Sequence, residues 1–271
     1  MSDPGNAPVA APVGTDEKIT FSKVAKRFGP KVVLQDLDLN VKVGERVTLI
    51  GPSGSGKTTI LRLLMGLEQV TSGTIRVDGE YFSHMERRGK LVPASEKHLR
   101  LARRRIGMVF QQYNLFPNMT VLRNITEAPV RVLGKSRADA EARARELLAM
   151  VGLEDCEGHR PHQLSGGMQQ RVAIARALAM QPEVLLLDEV TAALDPELIG
   201  GVLNVLREIA ATTDITMLIV THEMRFAQDI SDRVLMFDGG QVVEEAAPGK
   251  LFSDPDHERT RQFLSAVLEK T

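Results

Sequence analysis

Eight residues, Gly51-Pro52-Ser53-Gly54-Ser55-Gly56-Lys57-Thr58, have the types and spacing of a loop built to cradle phosphates. They follow the apolar run Val47 to Ile50 and open a helical pattern over Thr58 to Met65, so the loop joins a strand to a helix start. The glycines let the backbone fold around phosphate oxygens with its N–H groups inward, a shape that a Cβ would obstruct. The positive end of the following helix adds to the attraction. In that setting Lys57 neutralises β- and γ-phosphate charge, the Thr58 hydroxyl is placed to ligate Mg²⁺, and Thr59 continues the cradle. The chemistry expected is the binding of ATP with Mg²⁺.

Acids and amides at other strand ends extend this site. Val184 to Leu187 is an apolar run that ends in Asp188-Glu189, placing two carboxylates at the carboxyl edge of a buried strand, where open α/β sheets hold ligands. Taken alone, such a pair is equally a solvated turn. Beside a phosphate loop, Asp188 is the expected Mg²⁺ holder and Glu189 the general base for an attacking water. His222 follows the strand Met217 to Val220 and reaches the same edge; a lone histidine is more often a packing residue, but here it can meet the γ-phosphate or the water. Gln111, after Ile106 to Phe110, can orient water or touch Mg²⁺ through its amide.

The elements that must position these groups are legible in outline. Short β-branched runs at Ile19 to Val24, Leu37 to Val43, Val47 to Ile50 and Thr74 to Val77 are separated by turn signals at Phe28-Gly29-Pro30, Val43-Gly44 and Asp78-Gly79. They suggest an antiparallel layer joined to a parallel core. Tyr113 to Gln163 carries helical periodicity, with Ala140, Ala144, Leu147, Leu148 and Val151 on one face, and reads as an inserted helical subdomain of about 112–172. Strands then alternate with helices, as in a buried parallel sheet, and Arg261 to Lys270 reads as a terminal helix over the core. Residues 1–16, rich in Ala, Pro and Gly, read as a disordered tail without a secretory signal, leaving 17–271 as the folded domain.

Composition narrows the function further. A balance of 34 Lys+Arg against 35 Asp+Glu argues against DNA or RNA as the main partner. A single cysteine, Cys156, excludes an internal disulfide framework. No apolar run approaches the 18 to 20 or so residues that cross a bilayer. Arg103-Arg104-Arg105 reads first as a solvated or salt-bridged face, with contact to a partner as the alternative.

Leu164-Ser165-Gly166-Gly167-Met168-Gln169-Gln170-Arg171 supplies a second anion-binding helix start, with Ser165 as cap and two glycines. One phosphate loop already serves one ATP, so the spare anion site needs another explanation. This segment resembles the signature sequence of ABC ATPases, and the chain from about Ile19 onward resembles that family in motif order. The resemblance implies a RecA-like P-loop NTPase core with an antiparallel β layer and a helical subdomain. It also implies two subunits paired head to tail, each capping the other's ATP with Ser165, Gly166, Gly167 and Met168. Phe28 takes the place of the aromatic that stacks on adenine, Gln111 that of the Q-loop glutamine, Asp195 that of the D-loop and His222 that of the switch histidine; with Lys57 and Glu189, Gln111 and His222 form the implied catalytic set.

Three positions depart from the family pattern: Val190 for the usual Pro, Met168 for the signature Gln, and Phe28 for the commoner Tyr. The insertion over Asp78 to Arg105, Glu127-Ala128-Pro129-Val130 and Thr221-His222-Glu223-Met224 are similar to the branch serving polar amino acid importers, which includes ectoine-type solute importers. The resemblance thus implies an ATPase subunit, as a homodimer or paired with a paralogue, at the cytoplasmic face of the membrane. A permease would dock near Gln111 to Glu127, a solute-binding protein would act indirectly, and no nucleic acid is implied. A soluble ABC ATPase of repair or translation, an exporter subunit and a stand-alone P-loop kinase are the rival readings.

Overall fold

The computed structural model describes residues 16–268; the tail expected over 1–16 therefore falls, apart from Asp16, outside the described residues. The chain opens with β1 (Glu17–Phe28) and β2 (Lys31–Lys42), an antiparallel pair reversed at Gly29-Pro30, and enters β3 (Arg46–Ile50), which feeds α1 (Lys57–Leu64). β4 (Ser72–Val77) and β5 (Glu80–Tyr81) follow, then a small hairpin of β6 (His84–Arg87) and β7 (Lys90–Pro93), helix α2 (Glu96–Ala102) and β8 (Ile106–Val109). Helices α3 (Val121–Leu133), α4 (Arg137–Met150) and α5 (Gly166–Ala179) separate β8 from β9 (Val184–Asp188). The remainder runs α6 (Pro196–Thr212), β10 (Thr216–Val220), α7 (Met224–Ile230), β11 (Arg233–Asp238), β12 (Gln241–Ala246), α8 (Pro248–Ser253) and α9 (Glu258–Leu268).

Two main sheets form. One is antiparallel, in the order β2-β1-β4-β5; the other is six-stranded, in the order β12-β11-β3-β10-β9-β8, with five parallel strands and β12 antiparallel at the edge. β9 and β10 are buried on both faces, which is why they read as unbroken apolar runs. Their side chains alternate between two cores. Leu186 and Leu218 join Phe21, Leu39 and Leu61 beneath the antiparallel sheet, whereas Leu185, Leu187 and Ile219 pack on the helical side with Leu148, Ile174 and Leu206. The apolar face expected on α4 is buried there too. A third cluster packs Ile50 and Met236 under Leu251 and Leu264, the latter on α9, which starts three residues before the expected Arg261.

The hairpin β6–β7 and strand β12 go beyond the sequence reading. Both turn through paired positive φ values, Arg88 (53°) with Gly89 (72°) and Gly239 (57°) with Gly240 (83°), the geometry of tight hairpins. Because β8, β9, β10 and β3 are neighbouring parallel strands, the loops that leave their carboxyl ends share one edge, and those loops carry Gln111, Asp188-Glu189, His222 and the phosphate loop.

Candidate functional site

The phosphate loop owes its glycines to the chain as well as to any ligand. Gly51 has φ 137°, and a Cβ there would lie 2.1 Å from the backbone oxygen of Phe237 on β11. Gly56 has φ 106°, and its Cβ would lie 2.9 Å from the Val33 carbonyl. Lys57 begins α1, is 4% exposed and donates from Nζ to the carbonyls of Gly51 (2.7 Å) and Pro52 (2.9 Å). Burial lowers its pKa, against the pull of Glu189 and Asp188. The ammonium thus holds the loop in its curl from within.

Thr58 reaches across to β9, its Oγ1 donating to Asp188 Oδ1 at 2.8 Å. Burial pushes the Asp188 carboxyl up and the Thr58 hydrogen bond opposes it. A hydroxyl beside a buried, cation-seeking carboxylate is the donor set of a hard divalent cation that keeps its remaining ligands for phosphate and water. Among the described residues no group of three or more His, Cys, Asp or Glu could hold a metal without such help.

Glu189 stands in the left-handed region (φ 45°), its N–H donating to the Val220 carbonyl at 2.9 Å. That backbone link fixes β9's end to β10's and turns the carboxylate towards His222, whose Nε2 lies 3.1 Å from Glu189 Oε1. The His222 hydrogen bond holds the Glu189 carboxyl below its usual range. Beside it, Thr191 donates to the Glu223 carboxylate at 3.2 Å, bracing the two loops.

Phe28, Ser53, Gly54, Gly56, Lys57, Thr58, Thr59 and Glu189 line one open cleft, joined by Lys31 and Val33, which the sequence reading missed. Both follow the turn after Phe28, and β2 brings them to the loop. Phe28 is 45% exposed, and Lys26 Nζ sits 4.4 Å from its ring centre, so one face is already covered by a cation.

The other expected residues lie outside that cleft. Ser165 caps α5, accepting from the Met168 N–H at 3.3 Å, and Asp195 precedes α6 with its side chain exposed and uncapped. Gln111 is exposed without a hydrogen-bonding partner among the described residues. The two signature glycines have an internal reason to be glycine: a Cβ on Gly166 would lie 2.7 Å from Tyr113 Oη, and one on Gly167 3.1 Å from Leu198 Cβ. Tyr113 was not singled out in the sequence. Its hydroxyl donates to the Ala193 carbonyl at 3.2 Å, while Arg176 holds the carbonyls of Asn114 (2.7 Å) and Tyr113 (3.1 Å) and Gln170 holds that of Phe110 (3.2 Å). The Gln111 loop, the start of α5 and the segment before Asp195 therefore form one hydrogen-bonded unit. Val190 is 3% exposed within the helical-side core, which accounts for an apolar residue at that position.

A family model described as ABC transporter matches residues 34–192. A probable amino-acid ABC transporter ATP-binding protein of Sinorhizobium fredii is 58% identical over 255 residues, covering 94% of this chain and 99% of that protein. The L-cystine transport system ATP-binding protein of Escherichia coli is 52% identical over 92% of this chain and 98% of its own length. A dimeric ATP-binding cassette in a post-hydrolysis state bound to ADP and Pi superposes with a TM-score of 0.73 at 33% identity, covering 85% of this chain and 98% of that one.

Proposed function

This chain belongs to the ABC transporter ATPase family, and from that premise we propose that it powers permease-mediated uptake of a polar amino acid. The observation that carries the reading is one edge of one sheet, where Lys57, Thr58, Asp188, Glu189 and His222 meet, while Ser165 to Gly167 stand outside that cleft at the start of α5. A second copy turned head to tail brings that helix start to the open cleft and completes it.

In the proposed cycle the loop Gly51 to Thr58 holds the triphosphate and Phe28 stacks on the adenine. Thr58 and Asp188 would hold Mg²⁺, with Gln111 reaching it on closure. When bound, Mg²⁺ neutralises charge on the phosphate oxygens. Glu189, kept ionised by His222, accepts the proton of the attacking water, and His222 steadies the γ-phosphoryl group. Lys57 exchanges its loop carbonyls for phosphate oxygens. Closure of the paired subunits around ATP, and reopening after hydrolysis, does the work on the permease, because ATP binds the closed arrangement better. The segment near Gln111 to Glu127, whose leading loop is held by Gln170 and Arg176 of α5, is the proposed docking face for the permease. The chain would then sit peripherally at the cytoplasmic face, with a solute-binding protein acting on the far side.

Relatives named for cystine, arginine and glutamine transport favour amino acids over ectoine-type solutes as cargo. Purification of the tagged chain from native membranes, identification of the permease it brings, and uptake assays with cystine, arginine, glutamine and histidine test this. ATP-dependent uptake of one of them is expected. Recovery of the chain free of any membrane protein, with ATPase activity, would instead favour a soluble ABC ATPase.

A further inference from the structure

The stretch from His84 to Arg105 is the most charge-polarised of the chain, with eight Lys or Arg against two Glu in a protein of 34 basic and 35 acidic residues. Two of the eight are paired: Arg103 with Glu96 at 2.8 Å and Arg105 with Asp78 at 3.2 Å. The other six, Arg87, Arg88, Lys90, Lys97, Arg100 and Arg104, are exposed and make no ion pair or side-chain hydrogen bond with the described residues. Surfaces that need only solubility mix their signs. Leu91 (44% exposed) and Leu101 (54% exposed) lie among these cations, one on β7 and one on α2.

The insertion is nonetheless firmly seated. Phe82 and Leu99 are buried, His98 Nε2 bonds the Tyr81 carbonyl at 2.7 Å, and Arg103 donates to the Gly66 carbonyl at 3.2 Å. Inward residues anchor it, and the cations face out as a platform. Nucleotide phosphate is not the anion it meets: Arg105 leads into β8 and accepts from the Glu183 N–H ahead of β9, which puts this end at the amino-terminal edge, opposite the phosphate loop. None of the six lines the clefts on either side of α2, so a segment bound in a groove has no seat on them.

We propose that this insertion docks on an anionic lipid surface, its lysines and arginines meeting lipid phosphates while Leu91 and Leu101 enter the headgroup boundary. The inference rests on the transporter reading only in that this reading brings a membrane within reach. The platform shares no residue with the segment near Gln111 to Glu127 proposed above to receive the permease.

The test uses the full chain with vesicles of phosphatidylcholine alone or enriched in phosphatidylglycerol, at about 50 mM and about 500 mM salt, read by co-sedimentation. Binding to the anionic vesicles at low salt is expected to be at least about tenfold stronger than to the neutral ones and to vanish at high salt. Reversing Arg87, Arg88 and Lys90 to Glu lowers it by about tenfold or more, with the parent's melting temperature and ATPase rate retained. Equal binding to both vesicle types, no binding to anionic vesicles, or undiminished binding by the reversed variant overturns the proposal. So does a reversed variant that loses association with detergent-solubilised permease in the absence of vesicles, which assigns the platform to an acidic protein surface. The vesicles contain no permease, so a failed transport assay leaves this result unaffected.

Discussion

Replacing Glu189 by Gln probes the chemistry with little disturbance of the fold. The amide keeps the length of the side chain and can still accept from His222 Nε2, which stands 3.1 Å away, and the backbone bond to Val220 is untouched. What is lost is the acceptor for the proton of water. A positioned general base contributes about 10² to 10⁴ in rate, so the barrier should rise by about 3 to 5 kcal/mol. The loss should fall on kcat, with KM for ATP unchanged or lower, because a negative charge beside the γ-phosphate has gone. Steady-state phosphate release, with gel filtration in ATP and Mg²⁺, measures both parts: turnover falls at least a hundredfold or so, and a nucleotide-bound dimer accumulates. Hydrolysis within about tenfold of the parent would refute the reasoning. The pairing with His222 adds a pH test, since it holds the Glu189 carboxyl below its ordinary 4.5. Its contribution to stability is therefore present above pH 4.5 and lost as pH falls through the lower folded value. In His222→Ala the folded value moves back toward the unfolded one, so that acid-side loss should shrink.

Gly51→Ala forces a Cβ to within 2.1 Å of a backbone oxygen held in the central sheet, and should cost more than about 3 kcal/mol and abolish ATP binding; a parental melting temperature would contradict the packing. Gly166→Ala meets the Tyr113 hydroxyl at 2.7 Å and should lose about 1 to 2 kcal/mol, most of which returns in the double variant with Tyr113→Phe. Additive losses in thermal melts would sink that explanation. Lys57 is lowered below 10.5 by burial, so between its folded value and 10.5 the unfolded chain holds a proton that the folded chain has shed, and stability from this group rises with pH. Triphosphate draws the proton back, so calorimetric heats of ATP binding in this window should differ between buffers of unlike ionisation heat, and identical heats would count against Lys57 as the phosphate partner.

Much of this site was legible because strand ends are easy to read. Val184 to Leu187 and Met217 to Val220 are unbroken apolar runs, and once they are paired in parallel with Val47 to Ile50 their exits must share an edge. The small hairpin was harder to see, because its turn places Arg88 where Asn or Asp would announce it; Gly239-Gly240 did announce β12 and was passed over. The carbonyl contacts of Tyr113, Gln170 and Arg176 were invisible for a different reason. These residues act by holding carbonyls, and a residue that serves a backbone atom of a distant loop leaves no spacing to recognise. The glycines of the signature, legible in the sequence as part of an anion-binding helix start, carry a packing reason that it does not show: Tyr113 and Leu198 occupy the space that a Cβ would take.

The central claim is that two copies of this chain share each nucleotide. A crystal structure of the Glu189→Gln variant grown with ATP and Mg²⁺ addresses it directly. The account requires the triphosphate on the Gly51 to Thr58 cradle of one copy to be met by Ser165 Oγ and the Gly167 N–H of the other. A triphosphate on that cradle with Ser165 and Gly167 of both copies turned to solvent would contradict it.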